Sequence, residues 1–201
     1  MCPTPARIVH NWDFEAHPVS QATKQYLFLM LRKPVIDINA TNPKLSAVVE
    51  EVAKVTQLRS KIMLMKNYLT LCRIASKEKL LLILVSRQHF VDGALLYSLQ
   101  DLIDIKNGFL LPFLETATSV FEEHIKSCLL CKAKGFVCEI CNIDDVVLFP
   151  FDKEAEMCPQ CQGAFHRDCY RQHVGENQQE CVRCLRIKAK KANKEAAKNQ
   201  L

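Results

Sequence analysis

The segment CPQCQGAFHRDC, Cys158 to Cys169, sets two thiols three residues apart, pauses, and then offers His166 and Cys169 at the same stride. That stride recurs. Cys128-x2-Cys131, Cys138-x2-Cys141, Cys158-x2-Cys161, His166-x2-Cys169 and Cys181-x2-Cys184 are five pairs of identical internal spacing. Two intervening residues let a tight turn aim both side chains at one ion, and zinc takes four sulfur or nitrogen donors in a tetrahedron. A thioredoxin-like thiol pair would need only one such motif, beside a βαβ unit that this sequence does not resemble. His166 therefore stands in a thiolate's place because its pair completes a tetrahedron. All ten residues are expected zinc ligands.

The order of the last four pairs matches the interleaved ligand order of treble-clef and RING- or PHD-like modules. On that scheme Cys138, Cys141, His166 and Cys169 share one ion, and Cys158, Cys161, Cys181 and Cys184 share another. Sequential pairing would strand the final pair. Cys128 and Cys131 are then two donors short. His124, one helical turn earlier, is a candidate third donor, and His10, His89 or His173 a candidate fourth. The reading is at least two zinc ions, with a third site open. Four protein ligands close each complete set, so the ions are expected to be structural and the module to depend on them for folding.

The other two cysteines, Cys2 and Cys72, lie in the first 127 residues, which read as helical. Ser20 starts a helix through Ala22, Tyr26, Leu29 and Met30 that Pro34 stops. Asn42 and Pro43 signal another start, followed by an apolar stripe of Leu45, Val48, Val49, Val52, Val55, Leu58, Ile62, Met65, Leu69 and Cys72. Thr56 is its expected weak point, and Cys72 reads as an inert core residue. Lys77 to Val91, with the run LLLILV, reads as a fully buried helix. Ser98 caps a short helix over Leu99 to Asn107 that Gly108 ends. Leu114, Ala117, Phe121 and Ile125 stripe a last helix. Successive apolar faces must pack on one another, which predicts a bundle.

The expected fold is mainly α: a helical bundle over 1–127, a small treble-clef or RING- or PHD-like zinc module with short β-hairpins over 128–184, and a basic tail over 185–201, helical or disordered. Phe136, Val137, Leu148, Phe149, Pro150, Phe151 and Phe165 are the expected small core of the zinc module. The net charge of +5 sits wholly in the tail, where Arg186, Lys188, Lys190, Lys191, Lys194 and Lys198 face only Glu195. The basic balance thus describes a tail that could touch an anionic membrane, not a nucleic-acid-binding face. Met1 opens no charged-then-apolar leader and no apolar run spans a bilayer, so a reducing compartment is expected.

Several zinc modules share this spacing. Cys138-Glu139-Ile140-Cys141 looks RING-like, but no cation directly follows Cys184. A PHD finger usually carries tryptophan where Gln179 stands, and a FYVE domain needs basic residues where Gln162 and Gly163 follow Cys161. The fuller match runs along nearly the whole chain. RIVHNWDF (Arg7 to Phe14), the NPKL start at Asn42, YSLQDL (Tyr97 to Leu102), KGFVCEIC (Lys134 to Cys141), FPF (Phe149 to Phe151) and FHRDC (Phe165 to Cys169) resemble the Rubicon homology domain. That is the carboxy-terminal module of Rubicon, Pacer and the pleckstrin-homology and RUN-containing family M adaptors, with the family M adaptors the nearest in look. The resemblance implies no catalysis. It implies a Rab effector of endolysosomal and autophagy adaptors, cytoplasmic and peripheral on late endosomes, lysosomes and autophagosomes. Its implied partner is the late-endosomal Rab GTPase in its GTP form.

Overall fold

The computed structural model describes residues 1–93, 96–143, 146–176 and 179–198, the last five without their side chains. The chain is mainly helical and divides into two compact units, Met1–Ser127 and Cys128–Leu201. Among the described residues no helix is long and apolar enough to cross a membrane.

The helical unit opens with α1, Pro5–Asn11, which has proline in its first turn and ends on Trp12 at φ 55°. Ile8 and Val9 bury its inner face. Helix α2, Gln21–Met30, begins where the Ser20 hydroxyl accepts the Thr23 N–H at 3.1 Å. Strand β1, Ile36–Asp37, pairs antiparallel with β2, Leu96–Tyr97. The Asp37 carboxylate then caps α3, Ile38–Thr41, by accepting from Ala40 N–H.

The start at Asn42 yields only one turn, α4, Leu45–Val48, before extended Val49 interrupts it. The long helix α5 is Glu50–Thr70. The break thus falls at Val49, not Thr56. Thr56 lies within α5, its hydroxyl donating to Val52 O at 2.8 Å and lying 3.0 Å from the Tyr97 hydroxyl.

After α6, Arg73–Lys77, the chain departs from the expected buried helix. Lys79 at φ 56° ends the α-conformation. Leu80–Arg87 then winds as a 3-10 helix in which only Leu84 is buried, with Leu82 and Val85 exposed. Three residues per turn align side chains at every third position, so an unbroken apolar run cannot turn all its side chains inward. Helix α7, His89–Asp92, buries Phe90 and Val91.

Helix α8, Leu99–Lys106, has a full capping box: Ser98 Oγ accepts from Asp101 N–H, and the Asp101 carboxylate accepts from Ser98 N–H at 2.8 Å. Gly108 at φ 75° follows its end. Helix α9, Leu110–Ser127, buries Leu114, Ala117, Phe121 and Ile125. It packs along α5, whose buried residues are Val52, Val55, Arg59, Ile62, Met65, Tyr68 and Leu69. Each large apolar side chain so buried contributes about 1.5–3 kcal/mol.

The second unit begins with the single turn α10, Leu129–Lys132. A hairpin of β3, Ala155–Met157, and β4, Ala164–His166, follows in the register Ala155 with His166 and Met157 with Ala164. Next come α11, Arg167–Tyr170, a π-turn over 171–176, and α12, Val182–Lys198. The basic tail is thus helical as far as it is described; residues 199–201 lie outside the described residues. Its small core joins Leu148, Phe165 and Tyr170 to the cysteines. Phe149 and Phe151 are buried and stacked at 5.3 Å, while Val137 is exposed at the surface.

Candidate metal centres

Each ligand pair of the second unit sits on one of two local devices. Cys138/Cys141 and Cys158/Cys161 lie on loop knuckles. In both, the residue after the second cysteine is left-handed, Asn142 at φ 53° and Gln162 at φ 56°. In both, its N–H returns to the carbonyl of the first cysteine at 2.9 Å. His166/Cys169 and Cys181/Cys184 instead stand at the starts of α11 and α12, where the helical turn sets the same spacing.

The hairpin decides which pairs meet. Cys158 and Cys161 occupy its tip, closed by Cys158 N–H on Gly163 O at 2.9 Å, whereas His166 ends β4 at its base. Three extended residues separate tip from base by about 10 Å, too far for one ion. Gly163 leaves room at the tip for the Arg183 side chain, whose Cδ would lie 2.8 Å from a Cβ there.

Two closed quartets result. Cys138, Cys141, His166 and Cys169 form one, and Cys158, Cys161, Cys181 and Cys184 the other, with all donor atoms of each within 4.8 Å. In the first, His166 presents Nδ1, 3.4 Å from Cys141 Sγ and 4.0 Å from Cys169 Sγ. In the second, Sγ atoms lie 3.6 Å apart for Cys158 and Cys184 and 3.8 Å apart for Cys161 and Cys181. A tetrahedron with zinc–sulfur bonds of about 2.3 Å has edges of about 3.8 Å. A disulfide would need about 2 Å. The separations fit a shared ion.

Thiol electrostatics agree. Burial alone raises Cys158, but the Cys161 N–H, the Tyr170 hydroxyl and the Gln160 N–H outweigh it and hold the thiol at about 6. Burial likewise opposes Cys138, yet the N–H groups of Cys141, His166 and Ile140 bring it to about 7. Their neighbours move the other way. Burial and the charge of Cys138 push Cys169 up to about 11, and burial with the surrounding thiols pushes Cys184 up to about 12. One thiolate is welcome in each cluster and a second is repelled, the situation a bound dication relieves.

Cys128 caps the start of α10 and Cys131 lies within it, where Lys132 N–H returns to Cys128 O at 2.9 Å. Within the helical unit, Cys72 Sγ lies 3.5 Å from His124 Nε2, and His124 Nδ1 lies 3.3 Å from Glu78 Oε2. A carboxylate on the far ring nitrogen orients a ligating imidazole. Cys72 and His124 are thus two further donor side chains set side by side within the helical unit.

Cys72 is buried on the apolar stripe, as expected, and its thiol meets the His124 imidazole. The other histidine candidates are otherwise engaged. His89 Nε2 is 2.8 Å from Asp101 Oδ2, His173 Nε2 is 3.2 Å from Glu180 O, and His10 is exposed.

The Rubicon Homology Domain family model matches residues 1–189. This chain belongs to the Rubicon homology domain family. Among curated relatives, the Drosophila melanogaster protein "Differentially expressed in FDCP 8 homolog" is 39% identical over 93% of this chain and 37% of its own length. Human "Pleckstrin homology domain-containing family M member 3" is 38% identical over 94% of this chain and 24% of its own length. The mouse "Run domain Beclin-1-interacting and cysteine-rich domain-containing protein" is 34% identical over 93% of this chain and 19% of its own length. This Rubicon homology domain thus spans well under half of each.

Proposed function

We propose that this chain is the Rab-effector module of an endolysosomal and autophagy adaptor, a non-catalytic scaffold that binds the GTP-loaded late-endosomal Rab GTPase. The observation that carries the reading is the Rubicon Homology Domain match over residues 1–189. The chemistry of the sites supports it. Each donor group offers four protein ligands, and a tetrahedral ion so enclosed keeps no position for water or substrate. Each of the two quartets of the second unit holds one zinc ion, and the two ions replace the apolar core that so small a module lacks.

An effector that prefers the GTP state must contact switch segments that the γ-phosphate orders, and its selectivity is the difference between two affinities. The module works at the cytoplasmic face of late endosomes, lysosomes and autophagosomes, with a further contact between the basic start of α12 and anionic lipid. The deciding experiment is a pull-down with a panel of purified Rab proteins, each loaded with GDP or a non-hydrolysable GTP analogue. Retention of the late-endosomal Rab in the GTP form, by about tenfold over GDP, is expected. Equal retention of both forms, or none, would reject the reading.

A further inference from the structure

Helix α2 is anchored at both ends and buried nowhere. Ser20 caps its start, and the carbonyl of Leu31, just past its end, accepts the Gln100 N–H of α8 at 2.9 Å. Between these anchors no residue of Gln21–Met30 is buried, and only Leu27 and Met30 are half-covered. Phe28 is 77% exposed, Leu29 71% and Tyr26 60%. A ten-residue helix has little stability of its own in water, so a face this apolar without burial needs another reason.

Charge supplies it. Lys24 and Phe28 follow one another at four-residue spacing, which sets a cation beside the ring on one side of the helix. Gln21, Lys24, Gln25, Phe28 and Leu29 share one shallow concavity. Exposed Lys33 and Val35 extend the patch. From residue 16 to residue 36 there is no aspartate or glutamate. Apolar rings framed by cations alone are complementary to a surface that offers hydrocarbon beneath anions.

We propose that this face of α2 seats on an anionic lipid surface, with Phe28 and Leu29 in the acyl boundary and Lys24 and Lys33 among the headgroups. Tyrosine at position 26 suits the same depth, its ring apolar and its hydroxyl wet. The arrangement is that of an interfacial helix, whose binding combines buried apolar area with attraction to anionic lipid.

The test is co-sedimentation of the full chain, zinc-loaded, with phosphatidylcholine vesicles with and without phosphatidylserine. Binding to the anionic vesicles alone is expected, weakened by salt. In chains with the tail intact, Phe28→Ser with Leu29→Ser should lower it about tenfold and Lys24→Glu about fivefold. Phe28→Trp, which keeps the apolar contact, should show a blue-shifted emission quenched by brominated lipid. Three results would overturn the proposal. These are absence of parent binding, unchanged binding of the double variant, which would leave the tail as the contact, and a bound Phe28→Trp chain without quenching. A dimer in light scattering that the double variant dissolves would assign the face to a second copy instead.

Discussion

Cys72 Sγ and His124 Nε2 face each other at 3.5 Å across 52 residues of chain, with Glu78 behind the imidazole. This contact joins the segment just after α5 to α9. We expect Cys72→Ala to destabilise the helical unit by about 2 kcal/mol, through lost packing and the imidazole left without its partner, read by urea unfolding. An unchanged unfolding midpoint would contradict this.

Chelation should dismantle the second unit. Structural zinc contributes on the order of 10–16 kcal/mol in zinc-finger peptides, far more than a core of Leu148, Phe165 and Tyr170 can replace. Complete zinc removal should therefore open residues 128–184 to protease. His166→Leu should do the same and also end partner binding. Protease resistance and an unchanged circular dichroism spectrum after chelation would refute the claim.

Asp101 links the acid response of the helical unit to one buried carboxylate. It accepts from Ser98 N–H, Ser98 Oγ and His89, and pairs with Arg87. Burial opposes its ionisation, but the His89 and Ser98 hydrogen bonds prevail and lower it below its ordinary 3.8. A depressed folded value means that its stabilisation is present above the unfolded value, near 4, and is lost as pH falls through the folded one. Asp101→Asn should cost about 3 kcal/mol at neutral pH and flatten the acid limb below about pH 4. Urea unfolding followed through Trp12, the sole tryptophan and a reporter of the helical unit, measures both effects.

Arg59 is fully buried between the rings of Phe90 and Tyr97, 4.0 and 4.1 Å from their centroids. Its Nη2 donates to Gly93 O at 2.9 Å and Leu96 O at 2.8 Å. The two rings are inclined at 67° to each other, and a planar guanidinium can meet both and still donate at its edge, which an ammonium cannot. Arg59→Lys should therefore destabilise the helical unit by about 2 kcal/mol and Arg59→Ala by about 4 kcal/mol. Equal thermal midpoints for the lysine variant and the parent would show that the planar group is immaterial.

Some of this architecture was legible from residues alone, and the reason is range. The Ser98 cap, the Gly108 stop and the stripe of Leu114, Ala117, Phe121 and Ile125 are set within one or two turns of chain. Local chemistry decides such features wherever the segment sits. The two-residue spacing of the ligand pairs is equally local, since it follows from the reach of a single knuckle.

Tertiary structure decided what the sequence left open. Leu80 to Val85 and the apolar residues of α2 are as hydrophobic as any core segment, yet only the packing around them determines which side chains find a partner. Arg59 reads as a surface cation until Phe90 and Tyr97, more than thirty residues away, close over it. Cys72 reads as one more apolar position on α5 until α9 brings His124 against it. Composition and periodicity report how well a residue tolerates burial, whereas the identity of its neighbour depends on the path of the whole chain.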